Sequence, residues 1–162
     1  MTAVREAVTI GEAKVAGAGA VLFTLGLGSC VAIALWDGSN RVGGLAHAML
    51  PAPTPGRRAA SPLRYAATAV DALLSMMLEA GAQRAAIRAR IVGGASMFDS
   101  LLNENGRRLG QRNVEAARSA LARAGVPIDR EEVGGSHGRS VYLHMDDGRL
   151  IVSSVLHDDV VL

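Results

Sequence analysis

The chain has 162 residues, 49% of them apolar but only 3% aromatic, with 17 basic and 15 acidic side chains and a net charge of +2. That length suits one domain with a substantial core built from Ala, Val, Leu, Ile and Met. A charge so close to neutrality gives no electrostatic case for nucleic acid, and no apolar run approaches the roughly 18 residues of a membrane helix, so no membrane insertion is expected.

In chain order, Val8-Thr9-Ile10 and Val15-Ala16 are short strand candidates. Val21 to Leu25 reads as a strand entering a Gly26-Leu27-Gly28-Ser29 turn, with Cys30 immediately after it. Val31 to Trp36 is a nearly continuous apolar run, the mark of a strand covered on both faces. Asp37-Gly38-Ser39-Asn40 carries turn chemistry, and Val42 to Leu50 returns as an antiparallel partner. Equal strand lengths on either side of that turn would bring the segments carrying Cys30 and His47 side by side. The run from Pro51 to Arg58 holds three prolines and is expected to be an exposed loop that shapes access to His47. Ser61 as N-cap and Pro62 at the first helical position open a helix whose apolar face is Leu63, Ala67, Val70, Leu74 and Met77, closed by Gly81. Ala85 to Val92 reads as a strand in which Arg88 and Arg90 alternate with Ile87, Ala89 and Ile91, ended by Gly93-Gly94. A second helix starts near Asn113, buries Val114, Ala117 and Leu121, and stops at Gly125 before Pro127. Val126 to Val133, Ser140 to Met145 and Leu150 to Leu156 are the remaining strands. This order predicts an α/β fold: a layered sandwich of mixed β-sheets flanked by helices, one domain over residues 1–162.

Cys30 is the only cysteine. It cannot form an internal disulfide, and the N-terminus, with Glu6 and Glu12, lacks the order of a signal peptide, so a cytoplasmic location is expected. Free cysteine is commonly a small buried hydrophobe, but a position directly after Gly28-Ser29 leaves the backbone open to a substrate and lets N–H groups near Ser29 face a developing oxyanion. His47, between Ala46 and Ala48, would by itself read as a structural histidine; beside Cys30 it is the base a thiol needs near neutral pH. His137 sits in a Gly-rich loop that either touches a substrate or merely turns the chain, while His144 and His157 read as surface residues. Arg57, Arg58 and Arg64 read as a solvated loop and helix start. No set of histidines and carboxylates has metal spacing and Cys30 has no second thiol, so neither a metal nor another cofactor is expected. Gly26-x-Gly28 is not followed by a helix and there is no Gly-Lys-Ser/Thr, which argues against nucleotide binding.

Thr24-Leu25-Gly26-Leu27-Gly28-Ser29-Cys30, followed by Gly43-Gly44-Leu45-Ala46-His47-Ala48-Met49-Leu50-Pro51, resembles the signature of the CheD family, the chemoreceptor glutamine deamidases of chemotaxis. Arg64-Tyr65-Ala66, the segment Arg90 to Met97 around Gly93-Gly94-Ala95, Gly110-Gln111-Arg112-Asn113 and the segment Val133 to Arg139 extend the resemblance over residues 8–156. Gly26-Leu27 and Arg90 depart mildly from the usual pattern. The resemblance implies Cys30 as nucleophile, His47 as general base and acid, and Thr24 as the residue that orients the imidazole. Gly28 and Ser29 would then lie next to the substrate, and backbone N–H groups near Ser29 and Cys30 are expected to hold the oxyanion. It further implies a protein-glutamine glutaminase that converts glutamines of chemoreceptor cytoplasmic helices to glutamate through a thioester. Some methyl-ester hydrolysis is implied as well, and in some species a CheC-type phosphatase as second partner. The alternative is a non-catalytic receptor- or CheC-binding modulator of signalling; a generic thiol protease is a weaker reading, with no sign of a peptide groove.

Overall fold

In the computed structural model, residues 2–58, 61–97 and 108–162 are described. Along them run β1 (Val4–Ala7), β2 (Ala13–Ala16), β3 (Ala20–Leu27), β4 (Val31–Asp37), β5 (Val42–Ala48), α1 (Ala66–Glu79), β6 (Ile87–Gly93), α2 (Leu109–Ala124), β7 (Ile128–Val133), β8 (Arg139–His144), β9 (Leu150–Ser153) and β10 (Val160–Val161). The strands form two five-stranded sheets, ordered β1-β3-β8-β9-β10 and β2-β5-β4-β6-β7. Both are mixed: β1 runs parallel to β3 and β6 parallel to β7, while the other ladders are antiparallel. The α/β sandwich of mixed sheets expected from the element order is the observed fold.

Two apolar layers hold the sandwich together. Between the sheets pack Leu22, Leu27, Ala32, Ala34, Leu45, Val92, Val141 and Leu143. Between the second sheet and the helices pack Val31, Ile33, Leu35, Ala46 and Ala48 against Val70, Leu73, Met77, Val114 and Leu121. Odd positions of β4 therefore face the helices and even positions face the other sheet, which is why Val31 to Leu35 carries no polar residue. Both helices lie on the second sheet.

Close layer spacing depends on Gly43 and Gly44 in β5. A Cβ on Gly43 would stand 2.5 Å from Met145 Sδ, and one on Gly44 would stand 2.8 Å from Leu73 Cδ1. One glycine faces Met145 of the opposing sheet layer and the other faces Leu73 and Met77 of α1, so a side chain at either would make these residues repack. The β4–β5 turn is organised by Asp37, which is fully buried and accepts from Ser39 N (2.9 Å), Asn40 N (3.2 Å), Asn40 Nδ2 (2.8 Å) and Gln83 N (2.7 Å). Burial works to raise its pKa, but the hydrogen bonds from Asn40, Gln83 and Ser39 outweigh it and hold the carboxyl below its ordinary value.

Several boundaries differ from those read in the sequence. Val8-Thr9-Ile10 is not a strand: the chain leaves β1 in one sheet at Ala7 and enters β2 in the other at Ala13, so the link must break pairing, with Val8 buried and Ile10 exposed. β3 continues to Leu27 through a register shift between Thr24 and Leu27, and this bulge keeps both residues facing inward. Ser61 caps a short 3-10 turn, Pro62–Arg64, and α1 begins only at Ala66, where its buried face is Ala66, Ala69, Val70, Leu73, Leu74 and Met77. Residues 84–86 form a further 3-10 turn, so β6 starts at Ile87; Arg90 is buried and its Nη1 donates to Leu162 O at 2.9 Å. α2 starts one turn before Asn113, β9 ends at Ser153, and Val155 and Leu156 are exposed.

Removing the Asp37 carboxylate strips four donors of their acceptor at once. Asp37→Ala is expected to cost about 2–4 kcal/mol of unfolding free energy, measured as a lower urea midpoint at unchanged slope. The carboxylate's contribution is present above the ordinary carboxylate pKa and is lost as pH falls through its depressed value, so the difference between wild type and variant narrows in acid.

Candidate active site

The β4–β5 ladder pairs Ala32 with His47 and Val31 with Ala48. Ala32 faces the space between the sheets, and so does His47 opposite it; Cys30, two residues before Ala32, packs against the same inter-sheet cluster. Cys30 is thus the diagonal cross-strand neighbour of His47 on one face of one hairpin. The hairpin places His47 and brings the turn bearing Cys30 to the same face; the opposite sheet supplies what surrounds them.

Thr24, inward-facing on β3, lies with its Oγ1 2.6 Å from His47 Nδ1 and 2.6 Å from Val8 O. A threonine hydroxyl has one proton, and a carbonyl oxygen at 2.6 Å tolerates the hydroxyl only as a donor. Thr24 therefore donates to Val8 O and accepts from His47 Nδ1–H. That assignment selects the imidazole tautomer and leaves the lone pair on Nε2, which is buried and has no hydrogen-bond partner among the described residues. The backbone of His47 is held too, its N–H donating to Glu12 O (3.0 Å) and its carbonyl accepting from Gly11 N (2.8 Å). The link between β1 and β2 therefore grips both the imidazole, through Thr24, and the main chain beneath it.

The turn before Cys30 is anchored from the other side. Gly28 O accepts from Ala95 N (2.8 Å), Cys30 O accepts from Gly94 N (2.9 Å), and Ser29 O accepts from Asn113 Nδ2 (2.8 Å). Gly93 and Gly94 take φ of +109° and +67°, and a Cβ on Gly93 would collide with Cys30 O. Only glycine meets both the backbone conformation and the approach. The loop after β7 supports this segment, with Gly134 N donating to Gly93 O and Ser96 N to Gly135 O. That loop is in turn held by buried Arg139, which pairs with Glu132 and donates from Nη1 to Gly134 O at 2.8 Å. Beside the turn is a cavity of about 240 Å³ lined by Gly28, Ser29, Cys30, Ala95, Ser96, Met97, Arg108, Leu109 and Gly110.

Burial sets the protonation states. It pushes the half-buried Cys30 thiol above its ordinary pKa, against a weaker opposing contribution from Cys30's own backbone N–H. It pushes His47 down to about 4. Thiol and imidazole are both neutral near pH 7, an arrangement in which the base can accept a proton only as the sulfur commits to a bond.

Other sequence expectations fall elsewhere. The 51–58 loop lines a separate groove with Arg64, Tyr65, Leu109 and Arg112, and neither Cys30 nor His47 contributes to it, so the expected control of access to His47 is not supported by its position. His137 stacks on His157, ring centroids 4.1 Å apart, and lines a surface groove with Gly26 and Met97. Among the described residues no three His, Cys, Asp or Glu side chains are grouped to hold a metal ion, and no helix is long and apolar enough to cross a membrane. Sequence reasoning assigned no role to Asn113 or to Val8, although Asn113 stood in a recognised motif; a backbone carbonyl such as that of Val8 leaves no side-chain signal at all.

The family model for CheD chemotactic sensory transduction matches residues 49–154, beginning two positions after His47. Curated relatives extend across the whole site. A probable chemoreceptor glutamine deamidase CheD of Haloarcula marismortui is 44% identical over 158 residues, covering 96% of this chain and 88% of its own length. Another from Archaeoglobus fulgidus is 45% identical over 145 residues, 90% of each chain. A protein named chemoreceptor glutamine deamidase CheD from Halalkalibacterium halodurans is 42% identical over 133 residues, 82% of each. Among solved structures, the Bacillus licheniformis hypothetical protein YfiH aligns loosely, with a TM-score of 0.46 and 18% identity over 81% of this chain and 59% of that one. With a family-model match over most of its length and relatives above 40% identity along nearly all of it, the chain belongs to the CheD family.

Proposed function

We propose that this chain is a chemoreceptor glutamine deamidase, acting in the cytoplasm as one domain over residues 1–162 and releasing ammonia from glutamine side chains on receptor cytoplasmic helices. The substrate class follows from the names of its CheD relatives. The observation that carries the chemistry is the relay Val8 O, Thr24, His47, which presents an unpartnered Nε2 lone pair on the face shared with Cys30.

In this reading His47 Nε2 takes the Sγ proton as the sulfur attacks the amide carbon, and the carbonyl electron pair moves onto oxygen. Gly28 O and Ser29 O are turned toward Ala95 and Asn113, and a trans peptide sets N–H opposite C=O. The Ser29 and Cys30 N–H groups therefore point away from those partners, where they can stabilise the oxyanion. Collapse expels ammonia as it takes the proton from Nε2, leaving a thioester on Cys30. Nε2 then removes a proton from water, hydroxide adds to the thioester carbon, and the sulfur departs and recovers the proton, giving glutamate. Thr24 holds the ring and stabilises the transient imidazolium through Nδ1–H. The same steps hydrolyse a glutamate methyl ester, with methanol in place of ammonia. A CheC-type phosphatase is a second partner on this reading.

Mass spectrometry of a receptor cytoplasmic fragment incubated with the protein should show a gain of about one dalton at specific glutamines, absent with Cys30→Ala. Binding without any mass change would instead favour the non-catalytic modulator. Because His47 is neutral down to about 4, kcat/KM should stay level through the neutral range and fall only as pH drops toward about 4, where protonated Nε2 no longer accepts the thiol proton. An acid limb centred near the ordinary histidine pKa of 6.5 would contradict the buried, Thr24-held imidazole.

A further inference from the structure

Asn113, in the second turn of α2, is fully buried, and its Nδ2 donates to two carbonyls: Ser29 O at 2.8 Å and Met49 O at 3.1 Å. Ser29 immediately precedes Cys30, and Met49 follows His47 by two residues. The β4–β5 ladder stops at Val31–Ala48, so backbone pairing does not fix the turn bearing Cys30 relative to the end of β5. Asn113 closes that gap. Its amide is planar, and its two N–H directions set how far apart and at what angle the two carbonyls stand.

The helix is brought to the necessary depth by glycines. A Cβ on Gly110 would collide with the carbonyls of Gly94 and Ala95, and one on Gly94 would collide with Val114. α2 thus lies directly on the segment that holds Gly28 and Cys30 through Ala95 and Gly94. A residue present only to fill this space would be apolar. Asn113 instead leaves its Oδ1 buried without a hydrogen-bond partner among the described residues, an unfavourable feature that its Nδ2 contacts must offset.

We infer that Asn113 is a positioning residue: it sets the geometry of the Cys30–His47 pair by tying Ser29 to Met49. The inference rests on the reading that Cys30 and His47 react together, and its test separates the two. Cys30 alkylation by iodoacetamide is followed against pH in the wild type, Asn113→Leu, His47→Ala and the double variant, beside kcat and KM for receptor-fragment deamidation. Asn113→Leu should lower kcat about a hundredfold through misplacement of the pair, with KM changed less than about twofold. Its alkylation profile should collapse onto that of His47→Ala, with no further fall in the double variant. A Leu variant that keeps the wild-type profile and kcat, whatever its melting temperature, overturns the proposal. If the Leu variant fails to fold, Asn113→Asp decides: a protonated carboxyl donates once, so reactivity relative to wild type should recover as pH falls, and a wild-type profile throughout overturns the proposal. A receptor fragment left unmodified, with alkylation still dependent on both His47 and Asn113, sinks the deamidase reading and leaves the positioning role standing. Alkylation indifferent to His47 in the wild type sinks both.

Discussion

Everything in this fold is arranged around a strand pair, β4 and β5, buried on both faces. Helices cover one side and a second sheet the other, so the pair carries almost nothing polar, and β5 thins to Gly43-Gly44 where side chains of both layers approach. A histidine within such a pair is costly unless its ring nitrogens have specific work or specific partners. Among the described residues the His47 ring has one hydrogen-bond partner, Thr24, and its Nε2 has none. The proposed reactive pair thus sits at the end of this buried hairpin, His47 within the β4–β5 ladder and Cys30 in the turn just before it.

Burial also explains the protonation pattern. The desolvation that makes the centre of the sandwich a good scaffold pushes His47 down to about 4 and the Cys30 thiol up. A resting thiolate–imidazolium pair is disfavoured in that environment. The thiol is then protected from adventitious chemistry and reacts when a carbonyl carbon is presented to it, provided the tautomer is already correct. The single proton of Thr24, committed to Val8 O, supplies that correctness.

Much of this was legible in the chain because local rules governed it. The turn at Asp37, the apolar run of β4 and the equal arms on either side dictated the hairpin, and the hairpin dictated that Cys30 and His47 be neighbours. Less legible were the places where one layer borrows from another. Val8-Thr9-Ile10 has strand composition, yet it must cross between sheets. Leu25-Gly26 looks like the start of a turn, yet it is a bulge that keeps Thr24 and Leu27 on the inner face. Arg90 alternates like a surface residue and is buried beneath the carbonyl of Leu162.

The sequence by itself determined the α/β class, the central hairpin and which thiol and imidazole share its face, because periodicity and turn chemistry act over a few residues. Tertiary structure decided how the imidazole is oriented and how the thiol's turn is held. Thr24 meets His47 only when two sheets stack, and Asn113 meets Ser29 and Met49 only when α2 settles onto Gly94. Such contacts join residues 23 to 84 positions apart, and their geometry depends on layer spacing, which no local pattern encodes.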